Sequence, residues 1–303
     1  MSDSLVHSRR QALKLVAGVP MLPVAASLAG WSGLAEAASA TGSTFTFNGM
    51  AAPSLANAAQ MATTFVASTM TRTGVSGQQV TFELGHENFF LTGATVPHTL
   101  GGTVLAGGYF NAAGQPILDT TDANQRQFFS DCPDGMSLLT IPGGRSKKGD
   151  ANRVFAVVQF EYTTRNVAGA SMYGLLPSQI AVLTLDQDAK TGRLSLVSYY
   201  PVDTAPANGL WITCGASLSP WNTHLSSEEY EPDATVATNT QLRTFSQNFF
   251  GNADTARPYH YGHLPEVTVN ADGTGSIKKH YCLGRISHEL VHVCPDQIGR
   301  AHV

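Results

Sequence analysis

Short apolar runs separated by turn-forming residues dominate the chain. Residues 153–162 read RVFAVVQFEY, a β-branched and aromatic run that predicts a buried strand. Residues 179–186 (QIAVLTLD) and 193–200 (RLSLVSYY) flank Lys190-Thr191-Gly192, which predicts a hairpin. Residues 265–269 (PEVTV) and 276–281 flank the Asn-, Asp- and Gly-rich residues 270–275 and predict a second one. After the N-terminal region, only residues 54–69 predict a helix, where alanines mix with Leu55, Met61, Phe65 and Val66. Strands turned back on themselves by Asp/Gly turns predict an all-β fold, a propeller or a sandwich. No blade-length repeat is visible, so periodicity alone does not select the propeller.

The N-terminus follows a different order. Residues 8–14 read SRRQALK, a twin-arginine motif with Ala12 where Phe is more usual. An apolar stretch over residues 15–31 follows, rich in Ala and Gly and interrupted by Pro20 and Pro23. Ala35-Glu36-Ala37 and Ala38-Ser39-Ala40 then offer small-residue cleavage sites. Basic, apolar and small residues in that order predict a signal peptide over residues 1–40, forming a signal helix. A permanent membrane anchor fits less well, because a spanning helix needs roughly 20 strongly apolar residues. The chain is therefore expected to leave the cytoplasm already folded, with the twin-arginine translocase as a transient partner. It is expected to be periplasmic or secreted. That route suits proteins that acquire metals before export.

Of the 303 residues, about 260 remain after cleavage, enough for one large domain. Charged residues make up 13%, too few for a disordered or coiled-coil protein. The net charge is −4 and no basic cluster is present, which argues against a nucleic-acid binder. A carboxylate excess suits hard cations as well as plain solubility. Cys132, Cys214, Cys282 and Cys294 form no CxxC pair, so no structural zinc site is signalled. A disulfide and free buried thiols both remain open. A monomer is expected. The last seven residues, QIGRAHV, back-translate to a widely used short-read sequencing adapter. Residues 297–303 are therefore expected not to be protein-derived, which would make residues 41–296 a partial domain. Codons that differ from the adapter would remove that idea.

Three segments carry candidate chemistry. Residues 209–233, GLWITCGASLSPWNTHLSSEEYEPD, hold a thiol, a Pro-Trp pair and two adjacent carboxylates. In an extended strand Trp221, Thr223, Leu225 and Ser227 share one face, and Asn222, His224, Ser226 and Glu228 share the other. Glu228 and Glu229 can serve one site only if the strand ends there. Adjacent carboxylates repel unless solvated or bridged by cations. A solvated turn is the plainer reading. The second segment contains HELVH, His288 to His292, a formal match to the HExxH zinc-peptidase motif. That chemistry requires a helix, whereas Val291, Val293 and Pro295 favour extended chain. The third places Glu161 in an apolar strand, either at its exposed end or facing a cation.

Together these segments resemble the PhoX-type alkaline phosphatases. Cys214, Pro220, Trp221, Thr223, Glu228 and Glu229 match the pattern C-x-G-x-x-x-P-W-G-T-W-x-x-C-E-E. GRISHE, residues 284–289, resembles the family's GRF-x-HE block, and QFEYT, residues 159–163, its NHEYT segment. Tyr261-Gly262 and Glu266-Val267 sit where the family often has YGW-x-x-EV. The resemblance spans roughly residues 153–296. It implies a β-propeller whose central channel holds iron and calcium, and hydrolysis of a small phosphate monoester outside the cytoplasm. It implies Cys214 as an iron ligand, Glu228, Glu229 and Glu289 as cation ligands, and Glu161 as a further one. Arg285 would contact phosphate or form a structural ion pair. Calcium prefers carboxylate oxygen and a thiolate suits iron, so the donor types agree with the chemistry. Three departures stand out. Ser227 replaces the second cysteine, Asn222-Thr223-His224 replaces GTW, and Gln159-Phe160 replaces Asn-His. A subgroup with altered or no phosphatase activity is therefore an alternative, and the fragment itself is expected to be inactive. The competing readings are a non-catalytic, calcium-stabilised envelope propeller and an HExxH zinc peptidase.

Overall fold

Residues 154–160 can run as a buried apolar strand because alternate side chains pack into two different hydrophobic layers. The computed structural model describes residues 42–54, 56, 67–83, 88, 90–236, 238–294 and 299–302, the last four by backbone alone. The chain divides into two units, Met1–Glu87 and Asn88–Val303. The signal segment and most of the helix expected over residues 54–69 lie outside the described residues. Thr69 itself begins a strand.

In the first unit, β1 (Thr44–Asn48), β2 (Thr69–Thr73) and β3 (Gln79–Glu83) form an antiparallel meander. Its register aligns Phe47, Met70 and Phe82 on one face and Thr46, Thr71 and Thr81 on the other.

The second unit begins with the hairpin of β4 (Thr95–Pro97) and β5 (Thr103–Leu105). A four-stranded antiparallel meander follows: β6 (Pro133–Leu139), β7 (Ala151–Phe160), β8 (Gln179–Asp188) and β9 (Leu194–Pro201). A second four-stranded meander contains β10 (Ser217–Leu218), β11 (His224–Leu225), β12 (Pro265–Val269) and β13 (Gly275–Lys279). β14 (Leu290–Val293) pairs with β15 (Gly299–His302). Both predicted hairpins are therefore present, β8–β9 and β12–β13. The described residues are mostly β, and none of their sheets closes into a barrel.

The β6–β9 sheet is buried on both faces. Phe155 and Val157 pack with Ile180 and Val182 against Val267, Val269 and Ile277 of the other meander. Val154, Ala156, Val158 and Phe160 face Ala181, Leu183, Tyr199, Val96 and Ala106. Each fully buried large side chain contributes roughly 1.5–3 kcal/mol, so this layer anchors what is built at its ends.

One helix, α1 (Thr240–Phe250), interrupts the second meander where the sequence pattern predicted only strands and turns. Its signals are local: Asn239 accepts from Leu242 N at the start, and Gly251 adopts φ 71° at the end. Leu242, Phe245 and Phe249 form its buried stripe and pack with Trp211, Ile212 and Tyr261. α1 thereby braces the loop that carries Cys214. Among the described residues no helix is long and apolar enough to cross a membrane.

Candidate metal centre

Five segments end at one place. Asp134 lies on β6, Glu161 directly follows β7, Cys214 lies in the loop before β10, Glu229 follows β11, and Glu289 precedes β14. Backbone hydrogen bonds stitch these segments together. Glu161 N donates to Cys132 O at 2.9 Å, Gly135 N to Cys214 O at 3.2 Å, and Gly215 N to Glu289 O at 2.9 Å. Glu229 N donates to Ile212 O at 3.0 Å and His288 N to Glu228 O at 2.9 Å. Glycine is required at position 135, where a Cβ would stand 2.5 Å from Ala216 Cβ and 2.8 Å from Cys214 O. Ile212 (φ 39°) and Tyr230 (φ 51°) hold left-handed conformations that cost a β-branched or bulky residue energy. Each is next to or two residues from a donor.

The donors form two trios that share Cys214. Asp134, Glu161 and Cys214 offer atoms within 4.8 Å of one another, as do Cys214, Glu229 and Glu289. The Cys214 thiol lies 3.3 Å from Asp134 Oδ2 and 3.4 Å from Glu289 Oε1, with a single proton to donate. Burial and the charges of Asp134, Glu229 and Glu289 push Glu161 up to about 7. Burial and Glu289 also raise Glu229. Burial, then Asp134 and Glu289, hold the Cys214 thiol far above its ordinary value. Among the described residues no lysine or arginine lies within 4 Å of these four carboxylates. Four carboxylates and a thiol crowded together without a cationic partner form a donor set that a bound cation would stabilise. Oxygen-rich, with one sulfur, the set fits calcium together with a thiophilic metal such as iron. Tyrosines line its edge. Tyr162 and Tyr173 meet edge to face at 4.9 Å. Burial and the charge of Glu161 push Tyr173 up to about 12.

Cys214, Glu161, Glu229 and Glu289 are thus brought together, but two other sequence assignments are corrected. Glu228 is fully buried and points away from the trios. Its Oε1 lies 2.8 Å from Lys279 Nζ and accepts from Trp211 N at 2.9 Å. Its Oε2 accepts from Gly262 N at 3.0 Å and His263 N at 3.1 Å. Consecutive residues in extended chain point opposite ways, so the Glu pair splits into one internal and one cluster-facing carboxylate. Arg285 is likewise not poised for phosphate. Its Nε donates to Tyr261 O at 2.9 Å and Pro258 O at 3.2 Å, and its Nη2 donates to Pro232 O. The zinc-peptidase reading also fails. Residues 290–293 form a strand, His288 is buried and His292 exposed, so the two imidazoles do not share a helical face.

The departures from the family pattern have structural partners. Ser227 Oγ donates to Gly215 O at 2.8 Å and Glu289 O at 2.9 Å, tying two donor segments where the family has a thiol. His224 and Gln159, both at divergent positions, meet at 3.1 Å. The other side of His224 reaches Ser137 Oγ at 2.9 Å, and Gln159 Nε2 donates to Cys214 O. Burial drives His224 down to about 3, so it acts here as a neutral structural ring.

Asp134 was not identified from sequence. Its signal was the run Asp131-Cys132-Pro133-Asp134, three polar or reactive side chains around a proline at the start of a strand. All four cysteines are free, which resolves the open disulfide question for this structure.

The site and fold define a mostly β protein with an acidic, thiol-containing cluster that could hold a cation. The family model described as "Alkaline phosphatase PhoX" matches residues 201–303. The resemblance read from the motifs is thus shown over that part of the chain. A solved structure, "Pseudomonas fluorescens PhoX in complex with vanadate, a transition state analogue", is 18% identical with a TM-score of 0.36. The similarity covers 68% of this chain and 46% of that one, so this chain spans about half the length of that structure. No curated protein matches.

Proposed function

We propose that this chain is part of an exported, metal-dependent phosphatase that hydrolyses small phosphate monoesters. The convergence of Asp134, Glu161, Cys214, Glu229 and Glu289 from five segments carries the reading. The family match over residues 201–303 gives it a reaction class. Cys214 would hold iron, and the carboxylates would hold calcium or be shared between the two. Such cations, when bound, would neutralise a phosphate ester's charge and orient it. The chain's own contribution is a site whose donors are fixed by backbone bonds. Two sheets of four antiparallel strands, one covered on both faces, are in keeping with blades of a propeller. Export by the twin-arginine route and a periplasmic or extracellular location belong to the same proposal.

A specific observation favours a second reading for the 303-residue chain. Arg285 is committed to backbone carbonyls, and among the described residues no lysine or arginine lies within 4 Å of the cluster carboxylates. Without such a group to grip phosphate, the chain alone binds cations without turnover, as a calcium-stabilised propeller would. Elemental analysis and a p-nitrophenyl phosphate assay test both readings. The purified chain should contain iron and calcium, and Cys214→Ser should lose iron while retaining calcium. Bound iron with turnover abolished by Cys214→Ser supports the enzyme, and calcium alone without turnover supports the binder. Purified protein devoid of both metals, and unable to take them up, refutes both.

A further inference from the structure

Glu228 was expected to be a ligand, yet both of its carboxylate oxygens are fully engaged inside the protein. Four donors converge on its two oxygens: Trp211 N and Lys279 Nζ on one, Gly262 N and His263 N on the other. Lys279 is equally enclosed. Its side chain is fully buried, and Nζ reaches Gly209 O at 2.8 Å and His260 O at 2.9 Å as well as Glu228. The ammonium also stands 4.7 Å from the centre of the Tyr261 ring. A buried ion pair survives desolvation only when its remaining hydrogen-bonding capacity is filled, and here it is.

The position of the pair gives it a role. Trp211 precedes Cys214 by three residues on a loop braced by α1. Glu229 is covalently next to Glu228. The carbonyl of Glu228 accepts from His288 N at 2.9 Å, fixing the residue before Glu289. One buried residue therefore touches three of the segments that bring donors to the cluster, while its carboxylate faces away from them.

We infer that the Lys279–Glu228 pair is a positioning device that sets Cys214, Glu229 and Glu289 in register before any cation arrives. The inference rests on the metal-site reading above and assigns that site a new supporting pair. A carboxylate that belongs to a ligand set changes its surroundings when the ion binds; one that belongs to a preformed frame does not. Partners that orient metal ligands without touching the metal govern affinity by roughly 10- to 100-fold.

Two measurements on the full chain test it. The first is amide hydrogen exchange of the wild type in chelator and in calcium. The amides of Trp211, Gly262 and His263 should be strongly protected in both. Protection that develops only on adding calcium overturns the proposal. The second is calcium titration of Glu228→Gln, Lys279→Met and the double variant. Each single change should weaken binding by roughly tenfold or more without lowering the number of ions bound. The double variant should lose about as much as either single, because both break one pair. A lost ion in Glu228→Gln would make Glu228 a ligand, and unchanged affinity in Lys279→Met would remove the positioning role; either overturns the proposal. A wild type that binds no calcium in the titration defeats the metal-site reading itself, whereas loss of protection in chelator defeats the preformed frame, so the two failures are told apart. If a variant fails to fold, the wild-type exchange comparison still decides.

Discussion

Glu161 stands where β7 runs out, and its carboxyl is held up to about 7 by burial and by three neighbouring carboxylates. A carboxyl raised in the folded state binds its proton more tightly there than in the unfolded chain. In chelator it therefore makes stability fall as pH rises from the ordinary carboxylate range through about 7. Melting temperatures of the metal-free wild type should drop across that window, and Glu161→Gln should flatten the drop. Calcium should flatten it too, because the cation replaces the proton. Parallel melting curves for wild type and Glu161→Gln would count against the crowding of charge described here. At this scale the sequence was informative where residue type alone is decisive. The family resemblance assigned Cys214 and Glu161 to the site, and both lie in the donor trios. It misled where direction matters. Glu228 and Glu229 are identical in type, and only the path of the chain after β11 sends one inward to Lys279 and the other to the cluster. Asp134 stayed hidden because its partners lie 27 and 80 residues away along the chain.

Among the elements, hairpins were legible and the helix was not. Lys190-Thr191-Gly192 and residues 270–275 offer turn chemistry that fixes where β8 and β12 reverse. α1 begins at a plain Asn239 cap in a stretch rich in Thr, Asn and Gln, and its apolar stripe is only three residues wide. Its stability comes from packing on Trp211, Ile212 and Tyr261, which local sequence does not display. The contact of β6 with the Cys214 loop offers a direct test at this scale. Gly135→Ala would drive a methyl group into Ala216 and the Cys214 carbonyl, so strand and loop must separate. The expected cost is about 1–3 kcal/mol, with weakened cation binding, measured by denaturant unfolding and calcium titration. Unchanged stability and affinity would show that the two segments are not held against each other.

At the level of the whole molecule, a mostly β architecture followed from the pattern of short apolar runs, while the way its sheets stack required the fold itself. The β6–β9 sheet is covered on both faces by layers drawn from distant parts of the second unit. A cluster assembled from five segments should couple binding to global stability. Calcium at a hundredfold excess over its Kd should stabilise the protein by about 2.7 kcal/mol. Calorimetry in chelator and in calcium measures that shift, and identical melting under both conditions would deny the coupling. The most direct test of the account is anomalous diffraction from crystals in which manganese replaces calcium. A peak should appear enclosed by Asp134, Glu161, Cys214, Glu229 and Glu289, with Glu228 still bonded to Lys279. Cations found only elsewhere on the surface, with these five side chains splayed apart, would contradict it.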